Sequence, residues 1–399
     1  MILILFLLIG GSIESSELIK YNITSEYESI INGTHGYILW GVVFVLVAYL
    51  GCIGNVITII VLRRDPIMST LTYLLIALAV SDILAPQANA LLGFSFYHLS
   101  SKYGNSVAFL KFENILRYII HPLSTMFTMS SSWIVTLTTL FRLIAVKYPF
   151  TARTLIDKRK AVFSLILIFG CSLASIIPLY TSLMLQSKCT RDNKYHYVAF
   201  EMKDFSELMK KAYTPMIQIM CFYLPWSLAL IFWIFLLKSL KESSINLQAH
   251  GSSYSTTLCK KNPSTPSDSF KENNSRMSNA DSRKRNTNRI TLMVVVLCFT
   301  NLICRVFTFV FIFEVIFNEY LKITFTHREE TEFINTVNYH PNFVENAKTH
   351  FPLFLSYSLL LNNIFLCINH SSNIFIYTFT NPRFKKDLLN LFKPKFASK

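Results

Sequence analysis

The chain has 399 residues, of which 52% are hydrophobic and only 15% charged, against about 25% charged in an ordinary soluble domain. With a mean hydropathy of +0.40, this balance argues against a soluble fold and fits several membrane spans joined by polar loops. The formal net charge of +15 does not point to nucleic acid, because the lysines and arginines crowd into alternate loops, as membrane topology requires.

Residues 1–36 read as an extracellular N-terminus. Residues 1–10 are apolar but too short to span, and the small residues Gly11 and Ser12 follow, so 1–12 is a candidate signal peptide. Two sequons, at Asn22 and Asn32, are candidate glycosylation sites. Residues 37–62 carry no charge and are long enough to cross the hydrocarbon; Arg63-Arg64 closes them. Residues 71–97 form the second span, interrupted by Asp82 and Pro86. The third runs over about 113–146 and ends in Arg142, an apolar cluster and Lys147-Tyr148-Pro149. A charge at the foot of a spanning helix is costly unless it sits at the interface or has a task, and the proline stops the helix behind it.

Residues 161–186 are the fourth span and 212–237 the fifth, with Pro225 inside it. Residues 238–289 are rich in Ser, Thr, Asn and Lys and read as a disordered third intracellular loop. Residues 290–313 form the sixth span, carrying Asn301 and Arg305. Residues 314–350 are a long acidic connection, and 351–380 are the seventh span. The membrane domain is thus 37–380. Residues 381–399 hold a short surface helix and the cytoplasmic tail. In that helix Phe384, Leu388, Leu389 and Phe392 share a face. Basic clusters at 63–64, 158–160, 283–285 and 385–386 fall on one side, which places the N-terminus outside the plasma membrane. The eight cysteines form no zinc or redox spacing. No catalytic residue, nucleophile–base pair or phosphate loop is present, so no enzyme is expected.

Asp82 is the sharpest signal within the membrane. A carboxylate there faces the bundle interior and has partners. The candidates are Asn55, Ser131, Asn369 and Asn373; the last two are four apart and share a helix face that Tyr377 continues. One reading makes this set interhelical glue. The other makes it an oxygen cage for a sodium ion. Farther out, Glu113 and Arg117 stand one turn apart on the third span, Arg305 lies in the outer half of the sixth, and Glu314 ends it. These four are the ligand candidates, although Glu113 and Arg117 also suit a simple pair along one turn. Arg305 is expected to need an acidic partner if buried.

Together these residues resemble a rhodopsin-like (class A) G-protein-coupled receptor. Gly54-Asn55-Val56, Leu78-Ala79-Val80-Ser81-Asp82, Arg142 with Pro149, Pro225, and Asn369 through Tyr377 carry the likeness. Within that family the chain is similar to invertebrate FMRFamide and myosuppressin-type neuropeptide receptors. The features are Ser-Ser-Ser-Trp133, Arg142-Leu-Ile-Ala-Val-Lys-Tyr-Pro149, Met68-Ser-Thr-Leu-Thr-Tyr and the Asn-x-x-Ile-Tyr377 ending. It departs from the family pattern at Phe141 for the acid, Ile374 for the seventh-span proline, and Arg117 for the outer cysteine of the third helix. The resemblance implies an all-α seven-transmembrane bundle with a short amphipathic eighth helix. It also implies an extracellular peptide ligand, coupling to a heterotrimeric G protein through Arg142 and Tyr377, and regulation by arrestin. The rival readings are a small-molecule chemoreceptor of the same fold, and a transporter or channel. The latter would need inverted repeats that the sequence does not display.

Overall fold

The computed structural model describes residues 34–64, 69–99, 107–189, 195–202, 219–258, 289–306 and 360–392, and the single positions 102, 216, 217 and 308. The expectations for Asn22, Asn32 and Glu314 lie outside the described residues, as do 1–33, 259–288, 309–359 and 393–399.

The described chain is a bundle of long helices. The first span is Thr34–Arg63, the second Thr70–Leu99 and the fourth Lys158–Ser182. The third is Val107–Lys147, and the fifth runs from a π-helical turn at Ile219–Tyr223 into Leu224–Leu258. Among the described residues, five helices are long and apolar enough to cross a membrane, and a shorter apolar helix, Arg289–Cys304, follows as the sixth. Residues 360–371 and Asn373–Thr380 make the seventh. The architecture is the expected seven-helix bundle. Its inside-out distribution settles the solvent: Leu50, Phe163, Ile166, Phe375 and Phe379 face outward, while Asn55, Ser81, Asp82, Ser131 and Asn373 are buried. Lipid tolerates such a surface, and the bundle interior supplies the polar partners.

Three boundaries differ from the sequence expectation. The fourth helix stops at Ser182, not at 186. The chain then turns into a two-stranded antiparallel hairpin, β1 (Leu183–Cys189) and β2 (Tyr195–Met202), with a register irregularity at Lys188/Cys189. The run Tyr-His-Tyr-Val-Ala-Phe in β2 has the aromatic and branched character that suits a strand. The fifth helix continues to Leu258, so residues 238–258 are helical and not disordered. Extending a formed helix costs far less than nucleating one, which composition does not register. The third difference concerns the seventh span, which breaks without proline. The helix is interrupted at Ser372, whose Oγ donates to the Asn369 carbonyl at 2.9 Å.

The first and seventh spans touch through glycine. A side chain at Gly54 would come within 2.9 Å of Ile374 Cγ2, and one at Gly51 would collide with Ser371. Ser371 Oγ in turn donates to the Val47 carbonyl at 3.1 Å. Ile374, which stands where the family has proline, therefore fills the surface that Gly54 leaves open.

The surface helix is Pro382–Phe392, with proline at its first position. Asn381 caps it: its side-chain oxygen accepts from the Arg383 and Phe384 backbone N–H groups at 3.1 and 3.3 Å. Phe384 is buried against Tyr377, with ring centroids 5.6 Å apart, whereas Leu389 and Phe392 are exposed, as a helix lying on lipid requires. Asn381→Ala should cost about 1 kcal/mol of cap stability. Faster amide exchange across 382–392, with the seventh span unchanged, is the expected reading; unchanged protection would show that packing by Phe384 alone holds the helix.

Candidate functional site

Two polar constellations occupy the bundle interior. The first centres on Asp82. Its Oδ1 accepts from Ser131 Oγ at 2.6 Å and lies 2.6 Å from His370 Nδ1. Its Oδ2 accepts from Asn373 Nδ2 at 2.5 Å. The second, third and seventh spans are thereby tied at one carboxylate. Asn55 joins one step removed, donating to the His370 carbonyl at 2.8 Å from the first span. Asn369 is buried beside this group but makes no hydrogen bond to Asp82; it lends its carbonyl to Ser372. The structure thus brings Asn55, Asp82, Ser131 and Asn373 into one network and adds His370. The sequence signal for His370 was available: it precedes Asn373 by three residues and so shares its helix face.

A carboxylate holding three donors is well satisfied without a cation. As arranged, this set suits the bare carboxylate. A sodium ion fits only if His370 turns away or presents an unprotonated Nδ1.

The second constellation lies along the sixth span. Arg305 is buried to 1% exposure, and its Nε, Nη1 and Nη2 have no hydrogen-bond partner. The expected acidic contact is not made among the described residues. The guanidinium carbon stands 5.7 Å from the Phe222 ring centroid. Glu113 and Arg117 fall within the third helix, and their side chains lie outside what the structure describes.

At the opposite end, Arg142 donates from Nε to Thr291 Oγ1 at 2.8 Å. This joins the foot of the third span to the start of the sixth. Composition gives no hint of Thr291, one of many threonines in the chain; only the packing of the two helix ends selects it. Tyr377 is buried at 1% exposure with its hydroxyl unpartnered, its ring stacked edge-on against Phe384. The fifth and sixth spans are clamped by indoles: Trp226 Nε1 and Trp233 Nε1 each donate at 3.1 Å, to the carbonyls of Leu302 and Val295.

No curated protein matches the chain. Residues 54–345 match the family described as 7 transmembrane receptor (rhodopsin family). That match covers well over half of the sequence, and the buried carboxylate, the helix-foot arginine and the lipid-facing exterior agree with it. The chain belongs to the rhodopsin family of seven-transmembrane receptors, multi-pass membrane proteins of the G-protein-coupled class.

Proposed function

We propose that this receptor binds an extracellular peptide of the FMRFamide-like kind at the plasma membrane and, through Arg142 and Tyr377, activates a heterotrimeric G protein, with arrestin ending the signal. The observation that carries the signalling half is the Arg142–Thr291 hydrogen bond. It links the cytoplasmic ends of two helices that must part for a partner to enter. Ligand binding then acts by population shift, favouring the parted state. The peptide half is supported by the motif resemblance and by charged residues at the outer end of the third span, Glu113 with Arg117. A carboxylate there suits bidentate pairing with a ligand guanidinium.

A screen of amidated Arg-Phe peptides on cells expressing the full chain, with a G-protein readout, tests this. Glu113→Gln should weaken a peptide hit by about 2–5 kcal/mol, and citrulline in the peptide should then cost almost nothing further. Full additivity of the two losses would show that the groups do not meet. A response to small apolar molecules and none to peptides would favour the chemoreceptor reading.

The same proposal includes a sodium ion at Asp82 with Ser131, Asn369 and Asn373, favouring the inactive state. Its support is a buried carboxylate ringed by neutral polar side chains. Its competitor is His370. Agonist affinity should fall as sodium rises in the wild type, fall more steeply in His370→Ala, and stay level in Asp82→Asn. A flat sodium response in the wild type and in His370→Ala would leave the network as glue between helices.

A further inference from the structure

The polar interior divides by what its groups lack. Around Asp82 an acceptor meets three donors. Around Arg305 the unsatisfied atoms are all donors. The three guanidinium nitrogens have no acceptor, and neither do Asn301 Nδ2 nor Asn362 Nδ2. These side chains belong to one neighbourhood by helix geometry. Asn301 precedes Arg305 by one turn, and Thr308 follows it by three residues on the same face. Thr308 Oγ1 donates to Asn362 Oδ1 at 2.6 Å, which fixes the Asn362 amide at that level and leaves its N–H groups free. Asn301, Arg305, Thr308 and Asn362 are all buried. A buried unpaired donor costs about 1–3 kcal/mol, and more when charged. Three guanidinium and two amide nitrogens left unpaired at neighbouring positions, one group of them charged, are the chemistry of an anion site.

Asp82 does not fill that role. Its two oxygens are already engaged, and it makes no hydrogen bond to Arg305. Phe222 offers its ring to the guanidinium, which steadies the charge but accepts no N–H in the plane of the fork.

We propose that Arg305, Asn301 and Asn362 bind a small monovalent anion between the fifth, sixth and seventh spans, seated on the guanidinium fork. The anion is either a carboxylate of the extracellular ligand or a resident chloride. Both carry the single negative charge that suits five unsatisfied nitrogens. An amidated peptide brings such a carboxylate only through an acidic side chain, so the source bears directly on the ligand. The site itself does not depend on the peptide reading, and neither does its test.

The test is thermal unfolding of the purified full-length receptor in nanodiscs, at constant sodium and ionic strength. Gluconate, a bulky polyol anion, is the baseline, replaced stepwise by chloride in one arm and by formate in the other. A saturable rise in Tm is expected, since a ligand that binds only the folded state stabilises it. A rise with chloride marks a resident halide. A rise with formate and not chloride marks a carboxylate-selective site, which points to the ligand. Arg305→Met should abolish either rise. If that variant does not fold, Asn301→Leu carries the comparison and should raise the half-saturating concentration about tenfold. No Tm response to either anion in the wild type, or the same response in Arg305→Met, overturns the proposal.

Discussion

Alanine at Gly51 should strip most of the receptor from the cell surface, and Ser371→Gly should return a large part of it. The two residues meet where the first span crosses the seventh. A Cβ at position 51 would overlap Ser371 Oγ, lie 2.6 Å from its Cβ and stand 3.0 Å from its Cα. The obstruction reaches the backbone, so a rotamer change does not clear it. Overpacking of this kind costs about 1–3 kcal/mol, a sizeable fraction of a marginal stability. The second substitution removes the two nearest atoms. What remains is the close approach to the backbone of residue 371, which a small shift of the helices relieves. It also removes the Ser371–Val47 hydrogen bond, so full recovery is not expected. Surface labelling of the single and double variants in the same cells measures this. Normal surface levels in Gly51→Ala alone would mean the two helices can separate freely at this crossing.

Thr291→Val should raise ligand-independent signalling about tenfold, and Arg142→Ala should abolish signalling with expression retained. The valine keeps the shape of threonine and removes only the hydroxyl that accepts from Arg142. A hydrogen bond to a charged group contributes about 1.5–3 kcal/mol, and about 1.4 kcal/mol is a tenfold change in an equilibrium constant. If the bond exists only while the two helix ends are together, its loss shifts the population towards the parted state by that factor. Phe141 stands where the family carries an acid beside the arginine, so no carboxylate there duplicates the restraint. Basal G-protein turnover at matched surface expression decides it. An unchanged basal rate in Thr291→Val would place the restraint in the packing of Phe141 against the core cluster that includes Ile134, Met293 and Val294.

The bundle and the buried network around Asp82 follow from the sequence for a plain reason. Lipid admits only helices with satisfied backbones, and a lone carboxylate within a span must turn inward and find partners. The sequence then names Asn55, Ser131, Asn369 and Asn373 as candidate partners, of which Ser131 and Asn373 bond Asp82 directly and Asn55 joins through the His370 carbonyl. The amphipathic helix behind Asn381-Pro382 was legible for the same kind of reason, since the cap, the proline and the apolar face are all local. What tertiary structure alone decided is pairwise. That His370 rather than Asn369 reaches Asp82 depends on a break at Ser372, where the sequence has no proline to announce it. That Thr291 holds Arg142 depends on where the ends of two helices, far apart in sequence, come to rest. The hairpin β1–β2 and the helical continuation to Leu258 were missed because composition averages over a stretch, whereas strand pairing and helix propagation depend on what the neighbouring segment has already formed. Arg305 is the sharpest case. Its charge predicted an acidic partner, yet among the described residues its guanidinium nitrogens have none, and Asp82 is already held by three other side chains.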